Sequence, residues 1–291
     1  MKTRVAPEPT TRDRSRAMGM ILVEQGRLRP VDVDEIEQFA VNNGLRFGDA
    51  AQQLKLLTQQ DIEFALAQQF NHPILERGGE SGVSNELIAA YQPQDDAVEP
   101  LRVLRSQLIL RWLGDVQGTR KVLAITSPGR REGRSWVAGN LATVFAQIGY
   151  RTLLIDTDMR HPNQHKVFNI DNRVGLSALL TGRAGREIVH RVHPQLRLFV
   201  VTAGIIPPNP QELLARPVFE LILNGFAEQY DIVLLDTPAA TESADAHILA
   251  SNAGAAVVIA KMGQTPKTGL VNTVRDFVQS GVNVVGTIAN R

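Results

Sequence analysis

The chain has 291 residues, enough for one large domain with a small one beside it, and its 43% hydrophobic and 21% charged residues are ordinary globular usage. With 31 basic residues against 30 acidic ones, no global field draws it to nucleic acid, and aromatics at 5% are too sparse for a base-stacking platform. The absence of cysteine excludes a disulfide framework, a thiolate metal site and a cysteine nucleophile, and suits a reducing compartment.

Residues 1–17 are polar, basic and Pro-containing (Lys2, Arg4, Arg12, Arg14, Arg16) and read as a flexible tail, with a partner or membrane-surface arm as the alternative. No apolar stretch follows, so this is not a secretory signal, and no apolar run approaches the roughly 20 residues of a bilayer span. Over 18–76 apolar positions recur at helical spacing, as in Val33, Ile36, Phe39 and Ala40, then Ile62, Ala65, Leu66 and Phe70. Thr58 before Gln59-Gln60-Asp61 marks a helix start. A weak duplication is visible: Met18-Gly19-Met20-Ile21-Leu22 opens one copy and Phe47-Gly48-Asp49-Ala50-Ala51 the next, 29 residues on (19 to 48). These helical copies resemble the small N-terminal domain of type II secretion ATPases, some of which bind cyclic di-GMP. The family's opening Arg-Leu-Gly is Ala17-Met18-Gly19 and then Arg46-Phe47-Gly48, and a late glycine is Gly26 in one copy but Lys55 in the other. Protein docking is therefore the favoured reading of this module, and cyclic di-GMP binding the lesser one.

Residues 77–97 are Gly/Ser-rich, then acidic and Pro-containing, which marks a linker. From 98 to 291, short apolar runs (Val122–Ile125, Leu153–Ile155, Leu198–Val201, Ile232–Leu235, Ala256–Ile259, Val282–Ile288) alternate with helical stretches. That pattern predicts an α/β domain whose parallel sheet is covered by helices on both faces.

The first run ends in Thr126-Ser127 and the loop Pro128-Gly129-Arg130-Arg131-Glu132-Gly133-Arg134-Ser135, before a helix that opens with Trp136 and passes Asn140. A strand, a tight loop and a helix start bring free N–H groups and a helix dipole to one point, an anion site. Gly133 allows close backbone approach, Arg134 supplies a cation and Ser135 a hydroxyl for Mg²⁺. The strict phosphate-loop pattern would have Gly at 128 and Lys at 134. Arginine is bulkier and multidentate, so the loop alone leaves a ligand-free βα turn open. Two further runs end in acids, Asp156-Thr157-Asp158 and Asp236-Thr237-Pro238. Each acid alone could cap a helix, but three such elements in this order point to Mg²⁺ and a triphosphate held at the carboxyl edge of the sheet.

With Leu153 through Pro162, Gly175-Leu176-Ser177, Ala203 through Leu214 and Tyr230 through Pro238 in the same order, the segment from about residue 84 onward resembles the bacterial tyrosine kinases of capsule and exopolysaccharide operons, within them the soluble chain-length-determinant kinases of the EpsG type. The Pro207-Pro208-Asn209-Pro210-Gln211-Glu212-Leu213-Leu214 stretch is absent from generic MinD- or ParA-like ATPases, whose early loop lysine is also missing here. The resemblance implies ATP and Mg²⁺ as ligands. It implies Gly129, Arg131, Glu132, Gly133, Arg134, Ser135 and Trp136 around the nucleotide, and Ser135, Asp156 and Asp236 at the metal. Asp156 becomes the candidate base, with Arg134 and Asp158 in catalytic support. Glu99, Arg102 and Arg105 match the family's self-association motif for ring assembly. Implied partners are protein tyrosine substrates and a membrane-embedded polysaccharide chain-length-determinant protein as activator, which would hold a cytoplasmic autokinase at the inner membrane. Arg134 stands where lysine is usual, and the chain carries only Tyr91, Tyr150 and Tyr230 in place of a terminal tyrosine cluster. The alternative is thus a nucleotide-binding regulatory subunit with little or no phosphotransfer; a MinD/ParA-like ATPase ranks third. His161, His165, His190 and His193 offer no firm third zinc ligand and are read as surface histidines.

Overall fold

The computed structural model describes residues 11–69, 73–75, 82–114 and 121–290, and the chain divides into two compact units, 1–74 and 75–291. Among its described residues the first contains four helices, α1 (Thr11–Glu24), α2 (Pro30–Asn43), α3 (Phe47–Gln53) and α4 (Gln59–Gln69). Helix α1 begins inside the segment read as a flexible tail, so that reading is corrected from residue 11; residues 1–10 lie outside the described residues.

The duplication is structural. Gly19 lies against Val33, where a Cβ would come within 2.7 Å, and 29 residues on (19 to 48, 33 to 62) Gly48 lies against Ile62 at 3.2 Å. The N–H of Arg29 donates to Asp32 Oδ2 and that of Thr58 to Asp61 Oδ2, both at 2.8 Å, so each second helix begins with an acid holding the N–H three residues before it; only Thr58 answers in kind, its Oγ accepting the Asp61 N–H at 3.3 Å. Lys55, the residue that breaks the sequence match, takes the left-handed conformation of its counterpart, φ 57° against 68° for Gly26. The core of this unit includes Leu22, Val33, Ile36, Phe47, Ala51 and Ile62.

The second unit runs α5 (Ile88–Tyr91), α6 (Glu99–Leu108) continued by a π-helical turn (Ile109–Leu113), β1 (Val122–Thr126), α7 (Arg134–Gln147), β2 (Thr152–Asp156), α8 (Gln164–Val167) and α9 (Leu176–Leu180). It continues with β3 (His190–Arg191), β4 (Leu198–Val201), α10 (Pro210–Leu214), α11 (Pro217–Ala227), β5 (Ile232–Asp236), α12 (Asp245–Ala253), β6 (Ala255–Lys261), α13 (Lys267–Gln279) and β7 (Asn283–Asn290). All six apolar runs are strands. They form a sheet in the order β3-β4-β2-β5-β1-β6-β7, parallel except for the short edge strand β3, which pairs antiparallel with β4. Alternation splits the core between the two faces: Leu123 and Ile125 pack with Leu141 and Phe145 of α7, while Val122 and Ala124 face Leu249 and Phe277.

The linker reading of 77–97 fails from residue 83 onward. Leu87, Ala89 and Ala90 are fully buried in the core. Asn140 of α7 accepts the Ala89 N–H at 2.9 Å and donates to Glu86 O, and Gln147 donates to Ala89 O. Two alanines and two amide side chains let the segment lie flat on α7, with its backbone satisfied by side chains instead of water. Residues 76–81 lie outside the described residues.

Candidate functional site

Because β1, β2 and β5 are parallel neighbours, their carboxyl ends share one edge. Asp156 pairs in register with Asp236, and Ile125 with Asp236, so the loop after β1 and both strand-end acids are brought together. Two left-handed residues, Arg131 (φ 58°) and Gly133 (φ 95°), curl that loop into the first turn of α7. Glycine suits position 133: at this φ an L side chain would be strained, and a Cβ would displace the Asn290 amide that caps the loop. Arg131, Glu132, Gly133, Arg134, Ser135 and Trp136 line a pocket of about 240 Å³, joined by Glu86 and Asn163.

Gly129 is not on that wall. Its N–H donates to Glu132 Oε2 at 2.8 Å. Glu132 is itself buried, with its carboxylate folded under the loop, where Thr265 Oγ also donates to it, and its carbonyl accepts Asn290 Nδ2 at 3.0 Å. Arg134 is buried too. Its Nε donates to Thr237 O (2.9 Å) and its Nη1 to Ser127 Oγ (2.5 Å) and Gly129 O (2.6 Å), while Nη2 stands 4.0 Å from Asp158 Oδ2. The guanidinium therefore braces loop, β5 end and Asp158 together, a task that needs the multidentate fork and that a lysine could not fill.

The acids divide into a pair and a third. Asp156 is fully buried: Oδ2 accepts the N–H groups of Asn163 and Gln164, both at 2.9 Å, and Oδ1 that of Asp158 at 3.2 Å. Burial, then the charge of Asp236, holds its carboxyl well above the usual range, against the pull of those N–H groups. Burial likewise pushes Asp236 up to about 6, with Gln164, Ser135 and Arg134 pulling the other way. Asp158 instead turns one oxygen back to cap its own turn, accepting the N–H groups of Arg160 and His161.

Asp236 Oδ1 is buried without a hydrogen-bond partner. An orphaned acid oxygen beside a second desolvated carboxylate is the donor set a divalent cation resolves, so the residues fit one. Among the described residues no three His, Cys, Asp or Glu side chains converge into a closed cage. An ion held by one or two carboxylates and completed by phosphate and water needs none.

One residue that bridges the acids to the phosphate loop carried no sequence signal. Gln164 is fully buried on α8, and its Nε2 donates to Asp236 Oδ2 (2.7 Å) and to Ser135 O (3.0 Å). Arg160, in the same loop, forms a two-pronged pair with buried Asp245 at 2.8 and 3.3 Å. The Glu99, Arg102 and Arg105 trio is divided: Arg102 pairs with exposed Glu99 at 3.3 Å, whereas Arg105 turns inward to donate to Val144 O at 2.8 Å.

No protein-family model matches the chain. A curated relative, tyrosine-protein kinase YwqD of Bacillus subtilis (strain 168), is 33% identical over 216 residues, 74% of this chain and 90% of YwqD. The chain belongs to the bacterial tyrosine-protein kinases. Tyrosine-protein kinase ptk of Acinetobacter johnsonii is 34% identical over 70% of this chain. The chain spans only 27 to 28% of the length of ptk and three other curated relatives. Among solved structures, the kinase domain of Escherichia coli tyrosine kinase ETK is similar with a TM-score of 0.68 and 30% identity, covering 74% of this chain and 83% of that one. MinD of Pyrococcus horikoshii, complexed with Mg-ADP, matches at a TM-score of 0.52 and 19% identity over 60% of this chain and 71% of its own. The kinase-family member thus has the P-loop NTPase-like fold, a mainly parallel sheet between helices. Among the described residues no helix is long and apolar enough to cross a membrane.

Proposed function

We propose that this kinase-family chain binds ATP with Mg²⁺ at the loop Gly129–Trp136 and transfers the γ-phosphoryl group to tyrosine hydroxyls in capsule or exopolysaccharide assembly. The observation that carries the reading is the buried Asp156–Asp236 pair, in register at the end of β2 and β5 beside the phosphate loop. Two adjacent desolvated acids are costly without a cation, and a phosphate loop is where Mg²⁺–nucleotide supplies one.

In this reading the N–H groups of the loop and the α7 start hold the phosphates, with Arg134 seated behind them as the positive charge. Ser135, Asp156 and Asp236 hold the ion, which when bound neutralises charge on the phosphate oxygens. Asp156 takes the tyrosine proton as the tyrosine O–P bond forms and the bond between the β- and γ-phosphates breaks, leaving ADP. Asp158 keeps Arg134 in place. Rings built through Glu99 and Arg102, and activation by a membrane-embedded chain-length-determinant protein that localises the chain to the inner membrane, complete the proposal. A regulatory nucleotide-binding role is favoured by one observation: Tyr91 and Tyr230 are buried, which leaves half-buried Tyr150 for self-labelling among the chain's tyrosines.

Incubation with Mg-ATP, with and without the membrane partner, followed by phosphotyrosine detection tests the reading. Wild type should label itself or the partner and Asp156→Asn should not. Binding of Mg-nucleotide with no labelled tyrosine on either protein would leave the regulatory role standing instead.

A further inference from the structure

We infer that Gln164 is a positioning residue for the divalent ion, locking the three expected ligands Ser135, Asp156 and Asp236 into one constellation. The inference rests on the Mg²⁺–nucleotide reading above and extends it to a residue outside the strand-end acids and the loop. Each of the three has an atom bonded to Gln164: its backbone N–H donates to Asp156 Oδ2 (2.9 Å), and its amide Nε2 to Asp236 Oδ2 (2.7 Å) and Ser135 O (3.0 Å). The amide thereby fastens one oxygen of Asp236 and leaves Oδ1 as its free ligand atom.

The residue type suits the task. A lysine or arginine at this point would neutralise Asp236 and compete with the cation, and an apolar side chain would leave a second acid oxygen buried without a donor. A neutral amide donates without adding charge. By bonding to Ser135 O in the first turn of α7, it also ties the β5 acid to the helix that begins at the phosphate loop. Orienting partners of this kind commonly change metal affinity by about 10- to 100-fold when removed.

The test uses the full chain with ADP as the probe. Calorimetry measures ADP affinity in EDTA, and a Mg²⁺ titration at fixed ADP gives the half-saturating concentration. Gln164→Met keeps the length and the backbone N–H but removes the amide; Gln164→Asn keeps an amide too short to bridge both partners. Both should bind ADP in EDTA within about twofold of wild type, while half-saturating Mg²⁺ rises at least about tenfold. Val167→Ala, a buried change on the same turn, should lower the melting temperature without altering the ratio of the two affinities. Unchanged Mg²⁺ dependence in both Gln164 variants, or an equal change in Val167→Ala, overturns the inference while leaving the function standing. A wild-type chain whose ADP affinity is indifferent to Mg²⁺ overturns both.

Discussion

The side chains at the β2 and β5 ends are held against their own electrostatics. Asp236 has its carboxyl raised from 3.8 to about 6 by burial, and neighbouring Asp156 is raised too. Over that window the folded chain keeps a proton that the unfolded chain has released. Metal-free stability therefore falls as pH rises from about 4 to about 6 through Asp236. Asp236→Asn removes that residue's share, so above pH 6 without Mg²⁺ the variant should be more stable than wild type by up to about 3 kcal/mol, a gap that closes toward pH 4. Denaturant unfolding of both chains across that range checks it; a gap independent of pH would mean the pair is not strained. Arg134→Lys tests the other half of the site. Losing the fork that joins Thr237 O, Ser127 Oγ and Gly129 O should cost about 1–3 kcal/mol of stability. The acids themselves were legible in the sequence because continuous apolar strands ended in them. Gln164 was not, since it sits on a four-residue helix 72 positions from Asp236 and 29 from Ser135, spacings that no local pattern encodes.

At the scale of elements, the phosphate loop depends on a turn that favours glycine at 133 and on a strap from β7. Gly133→Ala meets both the left-handed φ and Asn290, and should cost about 1–3 kcal/mol and weaken nucleotide binding at least about tenfold, by melting and calorimetry. Nucleotide affinity equal to wild type would show that the loop tolerates another geometry. In the first unit, Asp61 closes the α4 cap and pairs with Arg27, so Asp61→Ala should lower that unit's stability by about 1–2 kcal/mol in denaturant unfolding. Periodicity located the helices and the duplication, but not that Lys55 would follow Gly26 into the left-handed region: the repeated backbone overrides the residue's own preference. The edge strand β3, two residues long, is set by pairing with β4 and had no alternation to read.

On the scale of the molecule, the division falls near residue 75, earlier than composition suggests. Ser, Asn, Gln, Pro and acidic residues make 82–97 look like a tether, while Leu87 and the alanines beside it carry the packing. Leu87→Ala should therefore cost the second unit about 2–4 kcal/mol in denaturant unfolding, where a tether would lose nothing measurable. The proposed activity depends on one divalent ion entering with the nucleotide between Ser135, Asp156 and Asp236. Electron paramagnetic resonance of Mn²⁺ as a stand-in measures this directly. One tightly bound ion per chain is expected when ADP is present, and none in Asp236→Asn under the same conditions. Equal Mn²⁺ uptake with and without ADP, or retention of the ion by Asp236→Asn, would contradict it.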